Sequence, residues 1–289
     1  NLDQLAHESA CGLTTPVLPG VTPGSGPGHL ALFGYDPLKY FIGRGVLEAV
    51  GIEADVREAD VVARGNLCTI DGQGLLVDRR ASRISSQESA PLCTLLSEID
   101  VPGVDIFVHP VKDYRFVLIL RGSGLDDRVT ETDPQRTGVP LLVVQASVPD
   151  AEGTALAANE FVKQARELLK EEEQANMVSL RGFSKLPRLL SMAEVYRLNP
   201  AAIAAYPMYR GLAKIVDMTV IPTGSTFADV VDSLAKHFFQ HDFFYIHYKP
   251  ADAAGEDGDF DAKVQALEEL DHYIPALLKL EPEVFIVAG

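Results

Sequence analysis

"AAIAAYPMYRGLAKIVDMTVI", residues 201–221, decides how the chain is read. Its first part spaces apolar residues at helical intervals and its end is a short apolar run, so it predicts a helix followed by a strand. The pattern repeats downstream. "TFADVVDSLAKHFFQ" (226–240) predicts a helix, "DFFYIHYK" (242–249) a strand, "DFDAKVQALEELDHYIPALLKL" (259–280) a helix and "EVFIVAG" (283–289) a strand. Helices alternating with apolar strands are the signature of a parallel sheet covered by helices.

Upstream the texture changes. From residue 52 there are short β-like runs, "ADVVARGNLCTI" (59–70), "GQGLLVDRR" (72–80), "DIFVHPV" (105–111), "RFVLILRG" (115–122) and "PLLVVQA" (140–146), interrupted by a helical "APLCTLLSEI" (90–99). "EGTALAANEFVKQARELLKEEEQANMVSL" (152–180) opens with the clearest amphipathic helix in the chain, its "KEEEQ" run a solvated face. The simplest architecture is therefore an α/β domain with a mostly parallel sheet covered by helices, made from 1–51 and 185–289 and interrupted by an inserted α+β domain over 52–184. At the start, "NLDQLAHESA" predicts a helix, and "LKYFIGRGVLEAVG" (38–51) another with Gly51 as its cap. Between them, residues 20–28 hold four glycines and two prolines and predict a loop that no helix or strand runs through.

Composition narrows the function classes. A net charge of −16 argues against a nucleic-acid partner, whose phosphates need clustered Lys and Arg with little competing acid. No apolar run approaches the roughly 18–20 residues of a membrane helix. Three cysteines, Cys11, Cys68 and Cys93, form neither a CxxC pair nor a zinc spacing, which predicts free thiols and a reduced, cytoplasmic setting. "NLDQLAHES" has no basic region followed by an apolar one and so suggests no signal peptide, and the chain lacks a starting Met and stops on a glycine after an apolar run, so both ends read as cut. The oligomeric state is left open.

Three constellations could carry chemistry. Ser25 stands in "TPGSGPGHLALFGYDP" (22–37), four residues before His29; a turn serine is the plain reading, and a nucleophile activated by a metal rather than by a base is the sharper one. Arg64, Arg79, Arg80, Arg83, Arg115 and Arg121 recur through the β-rich portion, where planar guanidiniums suit a small phosphorylated acid if they converge and surface solvation if they do not. "PADAAGEDGDFD" (250–261) brings Asp252, Glu256, Asp257, Asp259 and Asp261, with Glu268 beyond, into a strand-to-helix loop. Such a loop either caps the next helix or offers hard oxygen donors to a divalent metal. His109 and His247 read as structural, hydrogen-bonded residues.

Taken together, "TPGSGPGHLALFGYDPLKYFIGRGVLEAVG", "ARGNLCTID", "DRRASRI", "RGFSKLP", "AAIAAYPMYRGLAKIV" and "ADAAGEDGDFDAKV" resemble the archaeal-type 2,3-bisphosphoglycerate-independent phosphoglycerate mutases of the alkaline phosphatase superfamily, in order and over nearly the whole chain. The resemblance implies an alkaline-phosphatase-like core and interconversion of 3-phosphoglycerate and 2-phosphoglycerate through a phosphoserine on Ser25. It implies two divalent ions, manganese first with magnesium or cobalt as alternatives, and no 2,3-bisphosphoglycerate. Arg64, Arg80, Arg83, Arg115 and Arg210 would hold the substrate; Ser25, Asp252 and Glu256 would be metal ligands, Glu256 standing where many relatives carry histidine. The family's opening strand with its Asp-Gly ligand and its later Gly-Asp-His segment are not in this sequence, which leaves the activity of the chain as given an open expectation. The alternatives are a metal-dependent phosphatase or phosphotransferase acting on another small phosphorylated metabolite, or a non-catalytic phosphometabolite-binding protein.

Overall fold

A computed structural model describes residues 1–289 apart from Thr22 and Phe41. Thr22 of the expected loop and Phe41 of the expected helix over 38–51 lie outside the described residues. The chain forms two compact units, residues 1–19 with 190–289, and residues 20–189. Residues 20–51, expected with the flanking portions, thus cluster with the β-rich portion.

The unit 20–189 is built on antiparallel strands β1 (Val61–Ile70), β2 (Leu76–Asp78), β3 (Asp105–Lys112), β4 (Arg115–Arg121) and β5 (Met177–Ser184). Strand β1 lies between β4 and β5, β3 pairs the far side of β4, and β2 continues from the end of β1. Helices α4 (Ser86–Leu96) and α5 (Glu152–Leu169) supply Cys93, Leu96, Ala158, Phe161 and Ala165 to a core with Val61, Ala63, Leu67, Phe116, Leu118, Val178 and Leu180. These strand residues alternate, so Arg64 and Asn66, and Arg115 beside them, point to the opposite face. There α3 (Arg44–Gly51) packs on β1 and β5. Its approach requires glycine: a Cβ on Gly45 would sit 2.7 Å from the backbone of Val62 and Ala63, and one on Gly43 would sit 2.4 Å from the Gly182 carbonyl oxygen. Residues 140–146, expected as a strand, form only isolated bridges, at Pro140 and Ala146. Their backbone is tied instead by the side chains of Asn159 and Thr130.

Residues 20–28 correct the expectation of an uninterrupted loop. Helix α2 runs Ser25–Leu32 with Gly24 as N-cap. Pro27 is tolerated because it falls in the first turn, where its missing N–H would have had no intrahelical partner.

The second unit opens with α1 (Leu2–Glu8), anchored by the Leu2 N–H donating to Asp271 at 2.6 Å. Its sheet is parallel, order β7-β6-β8, with β6 (Pro200–Ala204), β7 (Thr219–Val220) and β8 (Phe243–His247). The helices are α6 (Met192–Tyr196), α7 (Pro207–Ile215), α8 (Phe227–His237), α9 (Pro250–Asp257) and α10 (Phe260–Leu278). Ala201 and Ile203 pack with Phe227, Val230, Leu234, Ile274 and Leu277 from α8 and α10. The opening "AAIA", expected to begin a helix, is strand β6, buried throughout. Alanine is a strong helix former, and burial between packed layers overrides that preference. Residues 283–289, expected as a strand, are assigned none, and Val284 and Ile286 are exposed. The acidic stretch expected as a loop is mostly helix α9, with Gly258 and Asp259 as the turn into α10.

Candidate active site

Pairing register assembles one polar surface on the α3 side of the antiparallel sheet. Arg64 lies opposite Arg181 on β5, and Asn66 lies between Arg115 on β4 and Ser179 on β5. Arg64 is nearly buried, and its Nη1 donates to Glu48 Oε1 at 3.4 Å from α3. Glu48 is fully buried, and burial pushes its carboxyl above the usual range although Arg64, Arg115 and Arg44 all pull it down. Glu48 Oε2, Arg64 Nε and Asn66 Oδ1 are buried with no hydrogen-bond partner. Arg115 lies with its guanidinium 5.0 Å from the Tyr114 ring centre.

A second group adjoins through Arg181. Arg79 grips Asp133 with two bonds, Nε to Oδ1 at 3.1 Å and Nη2 to Oδ2 at 2.6 Å, and Arg181 Nη1 reaches the same carboxylate at 3.5 Å. Burial would raise the Asp133 carboxyl, yet the Arg79 fork, the Gln135 N–H and Arg181 hold it below the usual range. Arg80 precedes and Arg83 ends a turn in which Ala81, Ser82 and Arg83 all take positive φ, 45°, 52° and 57°. Left-handed backbone costs roughly 1–2 kcal/mol per non-glycine residue. Asp78 holds it, accepting from the N–H of Arg80 at 2.7 Å and of Ser82 at 2.6 Å.

Ser25 is the half-buried first residue of α2, and His29 Nδ1 donates to its carbonyl oxygen at 2.8 Å. Thus Ser25, Arg64, Arg80, Arg83 and Arg115 belong to the unit 20–189, and Arg210, Asp252 and Glu256 to the other. Within that other unit, Arg210 lies on α7 with its Nε buried and unpartnered. Asp252 and Glu256 stand one turn apart on α9 and share Lys249, which donates to Asp252 and lies 3.5 Å from Glu256. Burial works against the Lys249 ammonium, but Asp252, Tyr209 and Glu256 more than offset it and raise its pKa. His247 stacks on Tyr209 with ring centres 3.3 Å apart.

Two carboxylates offer oxygens a hard divalent ion would accept, but Lys249 already pairs with both and offsets one of their two charges. Among the described residues no third His, Cys, Asp or Glu joins them. The pair as it stands therefore does not complete a two-ion centre. The three cysteines are free thiols, and burial pushes Cys68 and Cys93 up to about 12, so neither offers a thiolate. No helix among the described residues is long and apolar enough to cross a membrane.

Arg181, Glu48, Asn66 and Arg44 are the members that sequence reasoning missed. "RGFSKLP" contains Arg181, but only strand register shows that it faces Arg64.

Residues 6–175 match the family model described as 2,3-bisphosphoglycerate-independent phosphoglycerate mutase. A protein of Thermotoga neapolitana named probable 2,3-bisphosphoglycerate-independent phosphoglycerate mutase is 50% identical over 291 residues, covering 100% of this chain and 72% of that protein. A Thermus thermophilus protein of the same name is 48% identical at the same coverage. Among solved structures, the cofactor-independent phosphoglycerate mutase of Thermoplasma acidophilum is 28% identical with a TM-score of 0.56, over 85% of this chain and 70% of that one. A protein of Pyrococcus horikoshii shares the fold at 22% identity, with a TM-score of 0.72 over 93% of this chain and 67% of that one. With half its residues identical to such relatives along its entire length, and the family model spanning more than half of it, the chain belongs to the 2,3-bisphosphoglycerate-independent phosphoglycerate mutase family.

Proposed function

We propose that this chain interconverts 3-phosphoglycerate and 2-phosphoglycerate as an isomerase of the glycolytic and gluconeogenic type, without 2,3-bisphosphoglycerate. The observation that carries the reading is the Arg64 guanidinium, nearly buried and with its Nε unpartnered, on a face shared with Arg115 and Arg181. Planar donors of this kind suit the two anionic ends of a small phosphorylated acid. Arg64, Arg80, Arg83 and Arg115 of the unit 20–189 hold the phosphate and the carboxylate, and Arg210 is the substrate-binding candidate of the other unit taken by itself. Ser25 accepts the phosphoryl group from one hydroxyl and returns it to the other, and its place in the first turn of α2 favours the added negative charge. In this reading the core is alkaline-phosphatase-like and the β-rich portion, 52–184, is an insertion that binds substrate. The two divalent ions of the family would neutralise phosphoryl charge through oxygen donors, for which Ser25 is the candidate in one unit and Asp252 and Glu256 are the candidates in the other; Lys249 engages that carboxylate pair.

The test is an enolase-coupled assay for 2-phosphoglycerate formed from 3-phosphoglycerate, with Mn(II) and no bisphosphoglycerate, while inorganic phosphate is followed in parallel. Product without phosphate release is the expected result. Phosphate release without 2-phosphoglycerate would replace the mutase reading with a phosphatase.

A further inference from the structure

We propose that Glu48 is a positioning residue that fixes the direction in which Arg64 presents its guanidinium; the inference rests on the reading of Arg64 as a substrate ligand. Elsewhere in the same unit, an arginine with a structural role spends its fork on its carboxylate. Arg79 does so on Asp133 with bonds of 3.1 and 2.6 Å, and Arg128 does so on Asp126 with bonds of 2.9 and 2.7 Å. The Arg64–Glu48 pair is different in kind. One N–H of Arg64 meets one oxygen at 3.4 Å, and both the other carboxylate oxygen and Arg64 Nε are buried without a partner. Leaving such atoms unsatisfied is costly, and the cost persists where the surroundings impose it and a ligand relieves it.

The surroundings do impose it. Glu48 sits on α3, whose approach is set by Gly43 and Gly45 against the backbones of β5 and β1, so its carboxylate is delivered onto the face to which Arg64 points. Arg44, Arg64 and Arg115 are the charged groups acting on it. Glu48 therefore holds one edge of Arg64 and leaves the buried Nε without a protein partner.

The experiment compares 3-phosphoglycerate binding by calorimetry in the full chain, Glu48→Gln, Arg64→Lys and the double variant, with folding followed by circular dichroism. Loss of a group that orients a metal ligand weakens binding roughly tenfold or more, and the same size of effect is taken for a group that orients a guanidinium. We expect Glu48→Gln to raise Kd about tenfold when Arg64 is present and to add less than about twofold when Arg64 is already lysine, because coupled residues are non-additive. A Kd within about twofold of the parent, or effects that multiply fully in the double variant, would overturn the role. If Glu48→Gln does not fold, Glu48→Asp replaces it, keeping the charge and shortening the reach; unchanged binding there overturns the inference equally. No binding by the parent chain would overturn the substrate reading itself and the inference with it.

Discussion

Two arginine–carboxylate pairs on one antiparallel sheet behave as opposites. At the end of β4, Arg121 closes on Asp60, with Nε 2.9 Å from Oδ1 and Nη2 2.8 Å from Oδ2, while Nη2 also donates to the Asp55 carbonyl at 2.8 Å. Asp60 is 1% exposed, and the guanidinium lies 4.7 Å from the Phe107 ring centre. In the middle of the sheet, Arg64 touches Glu48 once, at 3.4 Å, and leaves buried atoms unsatisfied on both partners. The first pair has nothing left to offer a ligand. In the proposed reading, the second is held ready for one. Buried charge by itself says little about role; the count of unused donors distinguishes an arginine that holds the fold from one proposed to meet substrate.

That contrast can be broken by substitution. The largest effect is expected at Ser25, where Ser25→Ala removes the proposed phosphoryl acceptor. Turnover should fall at least about 1,000-fold, roughly 4 kcal/mol on the barrier, with the thermal transition unchanged. Retained mutase activity would remove Ser25 from the chemistry. Next comes the closed pair: Arg121→Met strands a buried carboxylate and should destabilise the fold by about 3 kcal/mol in urea titration, leaving the Kd for phosphoglycerate unaltered. A shift in Kd instead would erase the distinction between the two pairs.

Asp133 and Glu48 sharpen the comparison through pH. The Asp133 carboxyl is held below its usual value, so the stability it contributes is present above an unfolded pKa near ~3.9 and is lost as pH falls towards the folded value. Asp133→Asn should therefore cost about 2 kcal/mol near neutrality and progressively less as pH is lowered below 4. Glu48 has the opposite sign. Its pKa is raised by burial, so ionising it costs stability as pH rises through and above ~4.3, and Glu48→Gln should grow more stable relative to the parent between pH 4 and 7. Parallel pH profiles for these two variants would refute the assignment of open and closed pairs. The smallest effect belongs to Arg64→Lys, which keeps the charge but loses the fork: Kd should rise about tenfold, ~1.4 kcal/mol, with stability changed by less than about 0.5 kcal/mol.

Much of the fold was readable because it is local. Helices α5, α8 and α10 and strand β8 announce themselves through period and composition. What failed depended on surroundings. "AAIA" is a strand because both of its faces are buried, and residues 283–289 are not one because a strand exists only with a partner for its backbone. Ser25 begins a helix in spite of its glycines and prolines, since a first turn tolerates what a helix interior does not. In the candidate site, arginine chemistry singled out Arg64 and Arg115. It could not supply Arg181 or Glu48, whose places follow from a strand register and a helix approach set by residues far away in sequence.

That distant register also governs the order in which the chain can fold. Strand β1 is complete early, yet Cys68 pairs with Met177 and Arg64 with Arg181. At ribosomal speeds of ~5–20 residues per second, one edge of β1 waits on the order of ten seconds for its partner to be made. During that interval a buried strand, Val61 to Cys68, has β4 on one side and nothing of its own on the other. A nascent chain halted before β5 would therefore present a long unpaired edge, a target for chaperones or for a second unfinished chain.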